Sequence, residues 1–283
     1  MTPELQGILL SPWMLALLGL CIGSFLNVVI HRIPLMLERG WKLESAELLG
    51  VKIDEPELVT LSKPRSRCPS CGHAIAWYEN IPLASWLWLR GRCSACRARI
   101  SARYPLIELL TAVLFAVIGW RVGPQPVALL WCGFAAVLIA LAAIDWDTTL
   151  LPDGLTLPLL WAGLIAAALG WTISLSTAVW GAVVGYLSLW SVYWLFKLTT
   201  GKEGMGFGDF KLLAALGAWL GTTMILPVVL GASVIGAVVG IGMKASGALR
   251  EGRFVPFGPF LAGSGLVVML AGTPRVMGWL GWY

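Results

Sequence analysis

Low charge, apolar runs of membrane length and a one-sided distribution of basic residues mark this chain as an all-α, polytopic membrane protein. Of its 283 residues, 58% are hydrophobic and 12% charged, with 16 Trp and a mean hydropathy of +0.81. A soluble domain carries about 25% charged residues, so half that fraction calls for a bilayer as solvent. The apolar residues fall into runs near the roughly 20 residues that cross a hydrocarbon core.

Eight transmembrane helices are expected, at about 7–33, 104–120, 127–144, 155–171, 177–196, 209–220, 223–243 and 257–279. The sixth is short, so it either stands alone or merges with the seventh. The chain then divides into a first helix (1–33), a polar domain (34–103) and a helical membrane domain (104–283). No cleavable signal peptide is expected, because the first apolar run is too long for an h-region and no basic stretch precedes it. Cytoplasmic loops concentrate Lys and Arg. Placing the polar domain inside puts eighteen of the twenty basic residues there and leaves only Arg121 and Arg275 outside. Both termini are therefore expected outside. The net charge of +5 reflects this topology and an affinity for anionic headgroups, and gives no reason to expect nucleic acid. Residues 42–60 read as a solvated acidic stretch.

Within the polar domain, Cys68-Pro-Ser-Cys71 and Cys93-Ser-Ala-Cys96 form two C-x-x-C pairs separated by 21 residues. Two such knuckles bring four thiolates to one tetrahedral ion, and Zn²⁺ accepts four sulfurs without geometric strain. A disulfide is the competing reading, and a reducing cytoplasm disfavours it; a redox motif would need only one pair. Four ligands fill the coordination shell, so the zinc is expected to be structural. Gly72 and Arg97 suit the tight turn after each knuckle. Cys21 and Cys132 lie in apolar runs and read as small core residues.

A second constellation is acidic. Asp145, Asp147 and Asp153 follow the third helix, and Asp209 closes Gly204-Met-Gly-Phe-Gly-Asp209 at the start of the sixth. A carboxylate at membrane depth costs at least ~2.5–3.5 kcal/mol, so it usually has a task or a partner. Both acidic runs fall on the cytoplasmic side, where two carboxylates sharing a proton could activate water and protonate a leaving amine. Acids at helix ends are also common caps, and Asp153 before Gly154-Leu155 reads as one. Position alone leaves pair and caps both open. Asp147 would face away from Asp145 if the helix continued. Gly204, Gly206 and Gly208 do not make a dinucleotide loop, since Asp209 stands where that fingerprint needs glycine and no strand precedes it. They read as backbone that lets a peptide lie beside Asp209. Asn27 and Glu108 read as interhelical hydrogen-bonding residues; His31 and His73 read as isolated interface or surface residues.

These motifs, in this order, resemble the bacterial prepilin leader peptidase/N-methyltransferase family of G-x-G-D aspartic membrane proteases. The resemblance runs through Gly23-Ser-Phe-Leu-Asn-Val28, His31-Arg-Ile-Pro34, Cys68-Pro-Ser-Cys71-Gly-His73 and Trp77-Tyr-Glu-Asn-Ile-Pro82. It continues in Arg90-Gly-Arg-Cys93, Arg103-Tyr-Pro-Leu-Ile-Glu108, the Asp145–Asp153 stretch, Gly204–Asp209 and Val255-Pro-Phe-Gly-Pro-Phe260. It implies cleavage of the short basic leaders of type IV prepilins or type II secretion pseudopilins at the cytoplasmic face of the inner membrane. It also implies methylation of the new N-terminal amine, usually of Phe, with S-adenosylmethionine as methyl donor. Carried over by residue, the catalytic acids fall on Asp145 and Asp209. The zinc ligands fall on Cys68, Cys71, Cys93 and Cys96, and a methylation-associated glycine falls on Gly91. Two other classes compete: a transporter using intramembrane acids, which should show inverted repeats, and a zinc-ribbon scaffold without chemistry, which should tolerate loss of both acids.

Overall fold

The structure is a computed structural model describing residues 2–53, 58–247 and 255–282. Asp54, Glu55 and Glu57 of the acidic stretch, and Arg250 and Arg253 of the last basic loop, lie outside the described residues. The described chain is helical, with only two isolated bridges, Arg67–Ala74 and Arg92–Arg99, in place of strands. It forms two compact units, Met1–Ala140 and Leu141–Tyr283.

In the first unit, a short helix α1 (Pro3–Leu9) precedes α2 (Pro12–Leu49). Ser11 caps α2 by accepting from the Met14 N–H, and Pro12 occupies its first turn, so the chain breaks there and the first expected helix begins late. Nor does it stop at Ile33. α2 continues through Pro34 to Gly50, whose φ of 63° closes it. Proline forfeits one helical hydrogen bond, but the Leu, Met, Glu, Arg, Lys and Ala that follow are strong helix formers. Residues 34–49 thus form a helical arm. Arg32 ties the returning chain to it, donating to Thr60 O at 2.7 Å and Pro64 O at 2.6 Å. α2 packs along α4 (Arg103–Val122) through Gly19 and Gly23. A Cβ at either would lie 2.7 Å from a backbone Cα of α4, so only glycine permits this approach, as in small-residue membrane helix pairs. Asn27 donates across the pair to Tyr104 O at 3.1 Å, which is the interhelical role expected of it. Between these helices lie a 3₁₀ turn at Trp77–Asn80 and α3 (Ala84–Trp88).

α5 (Val127–Thr148) carries the chain from the first unit into the second. There follow α6 (Asp153–Ala168), α7 (Leu175–Thr200), α8 (Phe207–Leu220), α9 (Ile225–Ala245), α10 (Gly258–Ala271) and α11 (Thr273–Leu280). α8 is the centre of this unit: nearly every residue from Asp209 to Trp219 is buried. α7 approaches it glycine to glycine at Gly181 and Gly217, and Trp219 Nε1 donates to Leu159 O of α6 at 2.8 Å.

Each of the eight expected membrane segments has a helix in its place, but not all are full spans. Five described helical stretches are long and apolar enough to cross a bilayer. A sixth exists if α10 and α11, bent by 107° at Gly272, count together. α6 and α8, at 16 and 14 residues, are shorter. α8 is enclosed by protein, so its apolarity reflects burial among helices and does not require bilayer length. The sixth and seventh segments do not merge; Gly221, with φ 84°, separates them.

Candidate active site and metal centre

The two knuckles of the first unit are built alike. Cys68 N–H donates to His73 O and Gly72 N–H to Cys68 O, both at 2.9 Å. In the second, Cys93 N–H donates to Ala98 O at 2.9 Å and Arg97 N–H to Cys93 O at 3.1 Å. Gly72 and Arg97 take the left-handed turn expected of them, with φ of 72° and 62°. All four Sγ atoms lie within 4.8 Å of one another. The Cys68–Cys96 pair is at 3.8 Å and the Cys71–Cys93 pair at 4.0 Å. These six cysteines, Cys21 and Cys132 included, form no disulfide. A tetrahedron of sulfurs about 2.3 Å from zinc has edges of about 3.8 Å, so the donor set fits a four-thiolate metal site.

Electrostatics point the same way. Backbone N–H groups of Ser70 and Cys71 hold the Cys68 thiol down to about 6, and those of Cys96 and Ala95 lower Cys93. The His73 N–H acts in the same direction on Cys71, but its three thiol neighbours and burial push it up to about 12. Four thiols this close cannot all ionise without a cation among them. His73 is not isolated, contrary to expectation. Its Nε2 lies 3.2 Å from Glu79 Oε2 and 3.3 Å from Ser94 Oγ. Glu79 also accepts from Ala76 N–H at 2.8 Å, so the His73–Glu79–Ser94 group cross-braces the two knuckles. Gly91 has φ 65°, and a Cβ there would meet the Trp86 ring at 2.9 Å. Its N–H donates to Trp86 O and its carbonyl accepts from Ile100 N–H. Gly91 thus joins α3 to the second knuckle.

In the second unit, α5 does continue past Asp145, to Thr148, and the two nearby acids part as expected: Asp145 is 4% exposed while Asp147 faces outward. Asp209, 7% exposed, stands in the first turn of α8, its N–H donating to Gly206 O at 3.3 Å. Asp209 Oδ1 is buried and has no hydrogen-bond partner among the described residues. Asp145 accepts from the N–H of Gly258, the first residue of α10. Sequence reasoning missed Gly258. Its only signal was Gly-Pro at a helix start within the Val255–Phe260 motif. A Cβ at 258 would sit 2.5 Å from Asp145 Oδ2. Leu151, in the turn after α5, links the two halves: its side chain packs against Gly208, beside Asp209, and against Gly258, beside Asp145.

The three glycines before Asp209 differ in role. Gly204 packs close to the Phe196 ring and Gly208 to Leu151; a Cβ would be 2.9 Å and 2.7 Å from those side chains. Gly206 alone of the three is open: a Cβ there would meet, among described side chains, only Asp209 Oδ2 at 3.8 Å. The room beside Asp209 therefore comes from Gly206. Lys197 clips this loop to α7, donating to Glu203 Oε1 at 2.8 Å and Tyr193 OH at 3.1 Å. Asp153 is not a cap. Pro152 occupies the cap position of α6, and both Asp153 oxygens accept from Lys211 Nζ of α8 at 2.7 and 2.8 Å. Glu108 accepts from Leu83 N–H at 2.8 Å, so it binds α4 to the cysteine module as well as to its neighbouring helix.

Comparison with known proteins identifies the family. Residues 17–122 match the Bacterial Peptidase A24 N-terminal domain, and residues 132–241 match the Type IV leader peptidase family. The chain is 53% identical to a prepilin leader peptidase/N-methyltransferase of Aeromonas hydrophila, over 92% of each sequence. It is 52% identical to one of Pseudomonas putida, covering 90% of this chain and 88% of that one. The figure for one of Pseudomonas aeruginosa is 53%, covering 90% and 89%. No solved structure matches. The chain belongs to the type IV leader peptidase family, a family of aspartic peptidases.

Proposed function

We propose that this chain cleaves the basic leader from type IV prepilins or type II secretion pseudopilins with Asp145 and Asp209, and then N-methylates the exposed residue. What supports the reading is that both carboxylates are buried, that one side chain, Leu151, packs beside each of them, and that the backbone at Gly206 is open next to Asp209. Two carboxylates in a low-dielectric site share one proton. The ionised one takes a proton from water as it attacks the scissile carbonyl, and the protonated one donates to the leaving amine. Gly258 holds Asp145 in register through its N–H, and Gly206 leaves a peptide room to approach Asp209.

Cys68, Cys71, Cys93 and Cys96 would hold zinc, which ties the module together without an open coordination position. S-adenosylmethionine is the co-substrate of the second reaction and supplies the methyl group. The cysteine module, including Gly91, is the part of the chain we assign to that step. The basic residues support an inner-membrane orientation with the module cytoplasmic and both termini periplasmic. The substrates are membrane-anchored pilin precursors, and nucleic acid plays no part. The test is incubation of the purified chain with a prepilin and S-adenosylmethionine, followed by mass spectrometry. Loss of the leader and gain of one methyl group are expected. An intact precursor, or unimpaired cleavage by Asp145→Asn, would defeat the reading.

A further inference from the structure

The cysteine module leaves several large apolar side chains uncovered among the described residues. Trp77 is 79% exposed and Trp88 88%, with Tyr78, Ile81 and Leu87 also open. α3 accounts for part of this pattern. Trp86 turns inward, its Nε1 donating to Ile100 O at 3.4 Å, while the next two residues, Leu87 and Trp88, are left uncovered. Exposed patches of this kind mark contact surfaces.

What covers this surface follows from where the module is tethered. Leu83, immediately before α3, donates its N–H to Glu108. Glu108 lies five residues beyond Arg103, the start of α4, and is therefore about 8 Å along that helix at 1.5 Å per residue. By that level α4 already presents uncovered apolar side chains: Leu106 precedes Glu108, and Leu109, Leu110 and Val113 follow. α4 is a candidate membrane span, so this face meets lipid. The hydrogen bond therefore holds the start of α3 level with a lipid-facing surface. The chain leaving α3 carries exposed Arg90 and Arg92. Aromatic side chains beside guanidinium groups are the composition of a bilayer interface, with rings at headgroup depth and cations on anionic lipid.

We infer that Trp77–Arg92 is a membrane-interface anchor, seating Leu87 and Trp88 among the headgroups of an anionic lipid monolayer and fixing the cysteine module against the bilayer through the Leu83–Glu108 hydrogen bond. The anchor keeps the module at the membrane surface, where a membrane-held peptide terminus would emerge.

The test uses the full chain in nanodiscs, with the photoreactive residue benzoylphenylalanine at position 88 and, as a lipid-facing reference, at position 109. After irradiation, mass spectrometry should find lipid adducts at 88 comparable in yield to those at 109. The yield should be severalfold higher in discs containing phosphatidylglycerol than in pure phosphatidylcholine. The double substitution Arg90→Glu, Arg92→Glu should remove that difference. If the probe perturbs folding, brominated lipid replaces it: Trp88→Phe should lose a measurable share of the tryptophan quenching seen in the unmodified chain. Absence of lipid adducts at 88 while 109 reacts, an unchanged quenching signal in Trp88→Phe, or adducts at 88 to an added pilin peptide in place of lipid would overturn the anchor.

Discussion

Adding one methyl group at Gly258 perturbs the acid pair without replacing either acid. The new Cβ would stand 2.5 Å from Asp145 Oδ2 and 3.2 Å from its Cγ, with Leu151 Cδ1 at 3.1 Å. Ordinary contact begins at about 3.4 Å, so the carboxylate must retreat by about 1 Å or α10 must tilt by as much. Leu151 blocks one direction of retreat. A displacement near 1 Å in a catalytic group costs about 100-fold in rate, or about 2.7 kcal/mol at the transition state. Gly258→Ala should therefore lower the turnover of prepilin cleavage about 100-fold, leave the thermal unfolding midpoint within a few degrees of wild type, and leave methylation of pre-cut pilin unchanged. Cleavage kinetics in nanodiscs with gel or mass readout measure the first, and the pre-cut substrate measures the last. Wild-type turnover in a folded Gly258→Ala chain would show that Asp145 does not act from this position.

Asp145→Asn and Asp209→Asn should each abolish leader cleavage in a folded protein, while Asp209→Asn still methylates pre-cut pilin; mass analysis of both substrates checks this. Asp147→Asn and Asp153→Asn should retain most cleavage activity in the same assay. The exposed Asp153–Lys211 pair contributes only about 0–1 kcal/mol to stability. Replacing Cys71 or Cys96 with Ser should lower bound zinc, measured by elemental analysis, and reduce methylation more than cleavage. A variant that has lost its zinc yet methylates normally refutes that coupling. Gly91→Ala places a methyl group against Trp86 at φ 65° and adds about 1–2 kcal/mol of backbone strain, so methylation should fall in a rate assay where cleavage does not.

The candidate site residues were more legible than the helix lengths. The knuckle spacing brought four sulfurs together on paper, and the turns at Gly72 and Arg97 followed from the same pattern. Asp145 and Asp209 stood out because acids are rare in apolar runs. Helix lengths were harder, because hydropathy reports that a side chain avoids water and does not distinguish lipid from protein around it. α8 is the instance: its apolar run is short because other helices enclose it. α2 erred the other way, since Pro34 and the charges after it looked like an end while the local propensities remained helical. The role of Gly258 was hidden for a different reason, although its motif was noticed. Its role is a backbone N–H and a missing Cβ, and neither has a side-chain signature. Glu79, His73 and Ser94 lie far enough apart in sequence that their mutual hydrogen bonds depend on the fold of both knuckles.

Leu151 gives the acid pair an unusual kind of ruler. Neither carboxylate's own helix sets the gap alone; a single branched hydrocarbon wedged against Gly208 and Gly258 keeps the two backbones from closing further. If the two acids share a proton as proposed, their spacing is set by the volume of a residue that never exchanges one. Trimming or lengthening that wedge would change the gap between the two acids while every polar group stayed in place, at an apolar position that a search for charged residues would pass over.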